Sequence, residues 1–594
     1  MDPRQTYRSR LEYFEGLKQS ATRTFRTLGN VRLWLALAGV ALAIIAFGPG
    51  WLSPWWLAAV AAVFVVIAVV HEQIDQRLAA ANRGASHYQR ALKRLDNGWA
   101  GAGNSGERFR SPTHLFADDL DLFGRASLFE RLSTARTSAG ERTLADWLLQ
   151  PGEQAEVVAR QQAVVELRSR NDIREELALM GDDIRAAADD QAPALWGALP
   201  PVRFFPGARV VAFVLASAAV VTFALFLAQI LSVRPFLVVI LAEILFGFVL
   251  REPVRSVMAS VSTPAHDLEL LGLIVARLES ETFTSAGLLR VKKKLGTQGR
   301  PASEQIHSLK RLVAQLDAVR NAFFRLAAAP LVWVPQFAMA VEAWRQRCGP
   351  HIGEWVAALG EFEALCSLAC FAYERPEAVF PDLLDAPAPR FEAAALLHPL
   401  IAVNEAVPND VALGPENRLW IISGSNMSGK STLLRAVGVN AVLAWAGAPV
   451  TAARMSLSRL HLGASLRTVD SLADHRSRFY AEISRLRDVM NLARAGKPLL
   501  FLFDEVLSGT NSHDRRIGAQ ALLSRLVELG AIGMVTTHDL ALAEIAPALN
   551  GMVRNVHFED YLEGGEVRFD YHLRPGIVTR SNALDLMRAV GLEV

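Results

Sequence analysis

The sequence is poor in cysteine, and this scarcity excludes a disulfide framework or a thiolate metal centre as the basis of the fold. It has three cysteines, Cys348, Cys366 and Cys370, whose spacing matches no metal or redox motif. Cys366 and Cys370 lie one helical turn apart in an apolar stretch, which predicts core thiols and gives no sign of an oxidising compartment. The N-terminal residues are polar and basic before any apolar run begins, so we expect no cleavable signal peptide.

An excess of charge of one sign is also missing. The chain carries 62 Lys and Arg residues against 60 Asp and Glu, a formal net charge of +2. This balance gives no support for nucleic-acid binding by overall charge and says nothing against a local basic groove. The basic run Arg290-Val-Lys-Lys-Lys294 favours a solvated helix face over a nucleic-acid patch. What the chain does have is length and apolar content, 594 residues and 51% hydrophobic, which predict about two to four domains.

Four apolar runs form two pairs, residues 33–47 with 55–70 and residues 208–233 with 236–250, and Pro-containing turns predict two helical hairpins. The first, second and fourth runs are slightly shorter than the roughly 20 residues that a membrane-spanning helix needs. Arginines outside both ends of each hairpin predict a multi-pass anchor in the inner cell membrane, with the termini and all large segments in the cytoplasm. The alternative is two buried hairpins inside a soluble domain. In a membrane, Glu243 should face the interior of the helical bundle.

These patterns divide the chain into five predicted parts. Residues 1–85 form a basic arm with the first hairpin, residues 86–207 a helical segment, residues 208–251 the second hairpin, and residues 252–390 a second helical segment. In residues 391–594, apolar strands alternate with amphipathic helices, which is typical of an α/β domain with a mostly parallel sheet. The predicted fold is therefore multidomain, with an α/β domain at the C-terminal end.

The run Gly424-Ser-Asn-Met-Ser-Gly-Lys430-Ser431 follows the apolar residues Leu419-Trp-Ile-Ile422 and matches G-x-x-x-x-G-K-[ST] directly after a strand. Glycines let the backbone N–H groups of such a loop form an anion nest, and the next helix aims its positive dipole end at the same point. The pattern predicts an ATP site in which Lys430 reaches the β- and γ-phosphates and Ser431 ligates Mg²⁺. The alternative is a chance glycine turn before a helix. The predicted binding residues of the loop are Gly424, Ser425, Asn426, Met427, Ser428, Gly429, Lys430, Ser431 and Thr432.

Two further apolar strands end in polar residues. Pro498-Leu-Leu-Phe-Leu-Phe503 is followed by Asp504 and Glu505, and Ile532-Gly-Met-Val-Thr-Thr537 is followed by His538. Because ligand sites lie beyond the carboxyl ends of parallel strands, we expect Asp504 in the Mg²⁺ shell and Glu505 beside the attacking water. His538 is placed to sense the γ-phosphate, although a lone histidine is more often a structural residue.

A second phosphate-facing surface is predicted after the two acids. Thr510, Asn511 and Ser512 are natural N-caps for the helix that follows, and a helix N-terminus attracts anions. The chain already has its own phosphate loop. We therefore expect Ser512 and Asp514 to act on the ATP of a partner chain, which predicts a homodimer with composite ATP sites.

The C-terminal part resembles the ATPase domain of MutS-type mismatch-repair proteins, with the motifs in the family's order. Leu507-Ser-Gly509 comes after the acids, as in MutS and unlike the order in transporter ATPases. Leu397 stands where the family has an arginine, and Ser425 and Ser428 replace its proline and glycine. The matching motifs are His398-Pro399, the loop with Asn426-Met427, Ser477-Arg-Phe-Tyr-Ala-Glu482, Asp504-Glu505 with Gly509-Thr-Asn-Ser-His-Asp514, and Thr537-His538.

A weaker resemblance to the MutS lever and core helices extends upstream, so that about two thirds of the chain is covered. It includes Gly140-Glu-Arg-Thr-Leu144, Trp147-Leu-Leu-Gln-Pro151 and Glu361-Phe-Glu-Ala-Leu-Cys-Ser-Leu-Ala369. No N-terminal mismatch-reading domain and no phenylalanine-x-glutamate wedge are visible. The aromatic residue that stacks on adenine in the family aligns near Ala406.

The resemblance implies a homodimeric, Mg²⁺-dependent ATPase in which His398 lies near the nucleotide and hydrolysis drives lever motions. It implies that these motions are transmitted to double-stranded DNA through the DNA backbone. We therefore interpret the chain as a membrane-anchored relative of MutS, not a mismatch-repair enzyme proper. In the alternative, the levers act without DNA on the membrane helices or on a membrane partner. A structural membrane protein with a dead site is disfavoured because Lys430, Ser431, Asp504, Glu505 and His538 are all present.

Overall fold

The computed structural model describes most of the chain, and the chain divides into two compact units. One unit contains Met1–Thr134, Leu144–Leu179 and Leu365–Val594, and the other contains Ala135–Thr143 and Met180–Ala364. The residues outside the description are 1, 49–52, 54, 181–190, 298, 322–323, 326–327, 467–477, 508–509, 539–541, 543–550, 564–565 and 579–594.

Helices dominate both units. The described helices are α1 (Pro3–Phe47), α2 (Trp55–Leu95), α3 (Leu128–Leu132), α4 (Ser138–Leu149), α5 (Gln154–Arg168), α6 (Asn171–Leu179), α7 (Gln191–Ala198), α8 (Ala208–Leu227), α9 (Arg234–Ser280), α10 (Ala286–Lys294), α11 (Ala302–Asp317), α12 (Trp333–Glu374), α13 (Lys430–Ala446), α14 (Arg478–Arg494) and α15 (Ser512–Glu528). Short 3₁₀ helices cover Glu107–Phe109, Ala318–Arg320 and Ala329–Leu331.

The strands form two larger sheets and one small hairpin. They are β1 (Gly296–Thr297), β2 (Arg300–Pro301), β3 (Asp382–Leu384), β4 (Phe391–Leu396), β5 (Asn409–Leu413), β6 (Leu419–Ser423), β7 (Arg454–Ser458), β8 (His461–Ser465), β9 (Leu499–Asp504), β10 (Ile532–Thr537), β11 (Val553–Glu563) and β12 (Glu566–Pro575). The six-stranded sheet has the order β12-β11-β6-β10-β9-β8, and the four-stranded sheet has the order β3-β7-β4-β5.

The first unit begins with the hairpin of α1 and α2. Helix α1 starts where the Asp2 side chain accepts a hydrogen bond from the Arg4 N–H and a proline occupies the first turn. The two helices are held together near their open end by buried Tyr7, Phe14 and Tyr88. Gly84 permits this contact, because a Cβ at that position would lie 2.4 Å from the Phe14 ring. We call this packed part, residues 3–14 and 81–95, the hairpin base.

The second hairpin, α8 with α9, belongs to the other unit and differs from the prediction in length. The predicted apolar run ends at residue 250, whereas α9 continues to Ser280 through Pro253 and Pro264. A proline removes one backbone donor and usually breaks a helix. Here a buried stripe with helical spacing continues past both prolines, because packing of that face outweighs the lost hydrogen bonds. The stripe includes Val254, Val257, Val261, Ala265, Leu268 and Leu271.

Most of helix α12 is buried. Its fully buried aromatic residues include Trp344, Trp355, Phe362 and Phe371. Cys366 and Cys370 are buried free thiols on this helix, as the sequence predicts, and Cys348 of the same helix is a buried free thiol as well. The apolar character of α12 therefore comes from its place in the core.

The six-stranded sheet sets up the site. Strands β8, β9, β10, β6 and β11 are parallel, and β12 closes one edge in the antiparallel sense. The residues of β6 and β10 are all buried, which explains their continuous apolar runs. The strands predicted before Asp504 and before His538 are present as β9 and β10. In the four-stranded sheet, β3 pairs with β7 and lies upstream of the predicted boundary at residue 391.

Candidate nucleotide site

The loop between β6 and α13 has a backbone that only particular residues permit. Gly424 and Gly429 have positive φ angles of 148° and 101°, and Met427 adopts 69°. A Cβ on Gly424 would lie 2.9 Å from Ser428 Oγ and 3.0 Å from the Phe558 carbonyl oxygen. Glycine is therefore required for this close approach. Within the described part of the chain, the buried Ser428 Oγ has no hydrogen-bond partner, as expected for a loop shaped to receive an anion.

Lys430 is the first residue of α13, and its side chain folds back over the loop. Its ammonium donates to the carbonyl oxygens of Gly424 and Ser425, each at 2.8 Å. Burial lowers the pKa of Lys430, and the nearby Glu505 and Asp504 carboxylates partly oppose that shift. The lysine therefore bridges two peptide groups of the loop.

Ser431 and Asp504 meet at the ends of α13 and β9. Ser431 Oγ donates to Asp504 Oδ2 at 2.5 Å, and Thr536 Oγ1 of β10 donates to Asp504 Oδ1. This pair brings together hydroxyl and carboxylate oxygens, which are the donor types that Mg²⁺ prefers. Across the described residues, no group of three or more His, Cys, Asp or Glu side chains could hold a metal by itself. That donor set fits Mg²⁺, which keeps waters and takes substrate phosphates as its other ligands.

Glu505 follows Asp504 in a strained turn with φ of 49°. Its N–H donates to Thr536 Oγ1 at 3.1 Å, which fixes the turn against β10. Its Oε1 lies 3.4 Å from His538 Nδ1, so the residues predicted from two different strands do come together. Both side chains are partly exposed and can reach a water molecule.

Lys430, Ser431, Asp504 and Glu505 line a cavity of about 610 Å³. A cavity of this size is in the range of small-molecule and cofactor sites. Gly424, Ser425, His538 and Asp514 do not line it. The predicted residues that do are His398, Asn426, Met427, Ser428, Gly429, Lys430, Ser431, Thr432, Asp504 and Glu505.

His398 is distant in sequence from the two acids but lines the same cavity. It lies in the turn after β4. Its Nδ1 accepts a hydrogen bond from the Leu400 N–H at 3.2 Å, so the neutral ring carries its proton on Nε2. Burial, aided by Arg435, lowers the pKa of His398 to about 4. At neutral pH the ring is therefore an uncharged donor.

Tyr571, which the sequence does not predict as a site residue, lines the same cavity from β12. A Cβ on Gly429 would lie 3.1 Å from Tyr571 Cδ1, so the aromatic ring sits against the phosphate loop. Asn409 of β5 holds this part of β12 by donating to the Tyr571 carbonyl oxygen at 3.0 Å. Ala406 lines the cavity without an aromatic ring. No local signal marks Tyr571, because its position depends on the pairing of β12 with β11.

The other predicted motifs are only partly described. Ser477 lies outside the described residues, but Glu482 of the same motif accepts a hydrogen bond from the Leu507 N–H at 2.5 Å. Gly509 and the Ser512 side chain also lie outside the description. Asn511 caps α15 by accepting from the Asp514 N–H at 2.9 Å, and its amide donates to Asp514 Oδ2 at 2.7 Å. The predicted helix N-terminus is therefore present, and any role towards a partner chain stays a prediction.

Comparison with known proteins identifies relatives of this region. The family model described as MutS domain V matches residues 420–593. Endonuclease MutS2 from Thermomicrobium roseum is 33% identical over 234 residues, which cover 36% of this chain and 28% of that protein. The DNA mismatch repair protein MutS from Natronomonas pharaonis is 34% identical over 254 residues, 41% of this chain and 28% of that protein.

A second MutS2 endonuclease, from Thermus thermophilus, is 35% identical over 206 residues, 34% of this chain and 26% of that protein. The chain thus spans little more than a quarter of the length of these relatives, so the similarity supports the site and not a whole protein. The region that contains the loop after β6, Asp504, Glu505 and His538 is therefore similar in sequence to MutS domain V.

Proposed function

We propose that the chain is a Mg²⁺-dependent ATPase of the MutS type, anchored in a membrane by its two hairpins and acting on double-stranded DNA. The observation that carries the ATPase proposal is the contact between Ser431 Oγ and Asp504 Oδ2 at 2.5 Å, beside Glu505 and under the phosphate loop. A hydroxyl and two acids converge on one cavity from separate elements. A chance glycine turn does not account for this convergence.

The proposed roles follow from the geometry. Lys430 exchanges its two loop carbonyls for phosphate oxygens, the loop N–H groups hold the same phosphates, and Tyr571 offers a flat apolar surface to the base. Ser431 and Asp504 would hold Mg²⁺, which neutralises phosphate charge when bound. Glu505 accepts a proton from the attacking water, and His538, 3.4 Å from Glu505, orients that water.

Two substitutions test these roles in the full-length protein. Lys430→Ala should raise the dissociation constant for ATP, whereas Glu505→Gln should keep ATP bound and lower turnover by about 100-fold or more. Glu416→Gln is a matched control, because Glu416 is exposed in the turn before β6 and outside the cavity. Unchanged turnover in both site variants would refute the assignment.

We also propose a composite site, in which Ser512 and Asp514 act on the ATP of a second copy. Mixing inactive Lys430→Ala protein with inactive Ser512→Ala protein should restore part of the activity, since one site of the heterodimer is then intact. Absence of recovery despite demonstrated subunit exchange would count against the dimer.

The membrane proposal rests on the surface of the hairpins. In the described residues, four helices are long and apolar enough to cross a membrane by length and composition, namely α1, α2, α8 and α12. The apolar windows of α1, α2 and α8 are only 6%, 0% and 17% buried. Helix α9 does not meet the same composition limit, because Arg234 and Arg251 flank its apolar run and Glu243 interrupts it.

A polar pair marks one border of the apolar zone in the first hairpin. Arg32 Nη1 lies 3.0 Å from His71 Nδ1. The residue just before the first apolar run therefore lies beside the residue just after the second. Between this pair and the turn, the hairpin exposes Leu33, Trp34, Ile44, Val65 and Val66. Large exposed apolar surfaces of this kind are typical of membrane contact. Glu243 is buried in the second hairpin, as a membrane location requires.

The relatives support the DNA part of the proposal, because their names include an endonuclease and a DNA mismatch repair protein. The chain has almost no net charge, so contacts would come from a local basic surface. The test is DNA binding by the purified protein at a series of salt concentrations. A steep fall in affinity with salt supports backbone contacts, and no binding at low salt removes DNA from the proposal.

A second candidate function keeps the ATPase and drops DNA, so that hydrolysis moves the membrane helices or a membrane partner. The observation that favours it is the direct contact of the first hairpin with the end of α12, where Arg94 and Glu374 form a buried ion pair at 2.7 Å. ATP turnover that responds to reconstitution in lipid and not to DNA would support this function over the first.

A further inference from the structure

A buried glutamate joins both helices of the first hairpin to the end of α12. Arg94 of α2 donates to both Glu374 oxygens, with Nη2–Oε1 at 2.7 Å and Nε–Oε2 at 3.1 Å. Arg131 of α3 donates to Oε2 at 2.9 Å, and Tyr7 Oη of α1 lies 3.4 Å from Oε1. The Glu374 side chain has no solvent exposure. The hairpin base is therefore fixed to one carboxylate by groups from each of its helices.

The contact between Glu374 and the hairpin base holds a buried negative charge. Burial alone would raise the pKa of Glu374, but Arg94 and Arg131 outweigh burial and lower it to about 2. The carboxylate is thus ionised throughout the physiological range. A buried charge that loses a partner is strongly unfavourable, so Glu374 should follow the hairpin base when the base moves.

The next residue, Arg375, contacts the nucleotide cavity indirectly. Its N–H closes α12 by donating to the Phe371 carbonyl oxygen at 3.0 Å. Its guanidinium is buried, and Nη2 lies 3.4 Å from the carbonyl oxygen of Pro399. Pro399 directly follows His398, whose ring lines the cavity. Two consecutive residues therefore contact the hairpin base and the turn that carries His398.

The start of the same turn, at Leu397, is held by side-chain hydrogen bonds. Asn440 Nδ2 of α13 donates to the Leu397 carbonyl oxygen at 2.9 Å, and Thr451 Oγ1 donates to the same oxygen at 2.7 Å. Asn440 Oδ1 in turn accepts from the Thr451 N–H at 2.8 Å. Because Leu397 is anchored to the helix of the phosphate loop, the orientation of His398 depends on the contact at Pro399.

We propose that Glu374 and Arg375 are positioning residues that transmit the placement of the first hairpin to His398 and thereby set the affinity for the nucleotide. Neither residue lines the cavity, and both act through Pro399. The inference rests on the proposed function, because it takes the cavity as a nucleotide site. It assigns the first hairpin a second role besides anchoring, since a shift of its base changes the site.

The hairpin contains a matched pair of arginines for the test. Arg94 makes a forked contact to Glu374 itself, whereas Arg10 makes a forked contact to Glu175, which is linked to Glu374 indirectly through Tyr88 and Tyr7. Arg94→Lys and Arg10→Lys both keep the positive charge and remove the fork. Glu374→Gln is a second test variant that keeps the shape of the side chain.

Two readouts are measured on full-length protein in detergent. One is hydrogen exchange of residues 397–401 without nucleotide, where the Leu400 amide donates to His398. The other is the dissociation constant of a fluorescent N-methylanthraniloyl ATP together with kcat for ATP. Arg94→Lys and Glu374→Gln should speed exchange and raise the dissociation constant about three- to tenfold, with kcat at saturating ATP changed by less than about twofold. Arg10→Lys should change both clearly less, because Arg10 reaches Glu374 only indirectly, through Glu175, Tyr88 and Tyr7.

The outcomes separate this inference from the proposed function. Equal effects of Arg94→Lys and Arg10→Lys, or a lower melting temperature without any change in exchange or affinity, overturn the inference. Wild-type protein that binds no fluorescent ATP refutes the nucleotide site itself. In that case the exchange data decide alone, with faster exchange in Arg94→Lys supporting the contact path to the turn and unchanged exchange overturning it.

Discussion

Helices α2 and α12 are both long and apolar enough to cross a membrane by composition, yet the structure places their apolar residues in opposite surroundings. None of the apolar window of α2 is buried, whereas 89% of the corresponding window of α12 is buried. Helix α12 is apolar because it forms part of the core. Helix α2 is apolar where no part of the described chain covers it. Hydropathy reports the composition of a helix, and only packing shows whether protein or another apolar medium surrounds it.

The comparison predicts that one charge has very different costs in the two helices. Leu368→Asp in α12 puts a carboxylate at a position with 0% exposure and should destabilise the protein by about 3–5 kcal/mol. Val66→Asp in α2 is at a position with 61% exposure and should cost much less in detergent, because this helix stays in the micelle in the folded and the unfolded protein alike. Thermal unfolding of both variants in the same detergent measures the difference. Similar losses would mean that the exposed surface of α2 is covered in the native protein.

The same helix α12 allows a second comparison, between two buried glutamates. Burial raises the pKa of Glu363 to about 7 against an ordinary value of 4.5, although hydrogen bonds from Thr137 and the Arg136 N–H oppose the shift. Its contribution to stability is then fully present below pH 4.5 and is lost as the pH rises through 7. The contribution of Glu374, with its lowered pKa, is present above pH 4.5 and is lost only as the pH falls towards 2.

Stability measured between pH 5 and pH 8 should therefore distinguish the two. The advantage of wild type over Glu363→Gln should shrink by about 1–3 kcal/mol as the pH rises across this window. The advantage of wild type over Glu374→Gln should stay constant. A Glu363→Gln protein whose stability runs parallel to that of wild type would show that Glu363 is ionised in the fold.

A smaller effect is expected at the cavity, where two tyrosines on the edge hairpin of the sheet are similarly exposed. Tyr571, 43% exposed, lines the cavity, and Tyr561, 45% exposed, does not. Loss of a base-stacking ring costs about 1–3 kcal/mol, so Tyr571→Ala should raise the dissociation constant for ATP by about fivefold or more. Tyr561→Ala should leave it unchanged. Equal affinities in both variants would remove Tyr571 from the site.

No effect at all is expected for mismatches in DNA. Reading a mismatch requires a wedge that unstacks and kinks the duplex, and the N-terminal region of this chain is a hairpin of two helices. Competition between a homoduplex and a duplex with one G·T mismatch at fixed salt should show equal affinities. A preference of about tenfold, or 1.4 kcal/mol, would reveal a reader in the chain and reinstate mismatch repair.

The phosphate loop, the strands before Asp504 and His538, and the cap at Asn511 could be predicted because each depends on residues close in sequence. Tyr571 could not, since strand pairing brings it more than 140 positions from Gly429 back to the same cavity. Glu374 could not either, because its partners Arg94 and Arg131 are distant in sequence. The continuation of α9 past Pro253 was missed because the local signal of a proline was outweighed by packing that sequence alone does not show.

The central claim is that the exposed apolar hairpins lie in a membrane, and alkaline carbonate extraction of the full-length protein from cell membranes tests it most directly. The account predicts that the protein stays in the membrane pellet. It also predicts that deletion of residues 33–70 leaves it there, because the second hairpin remains. Complete release of the full-length protein into the carbonate supernatant, or a freely soluble protein without detergent, would contradict the claim and make the hairpins soluble interaction helices.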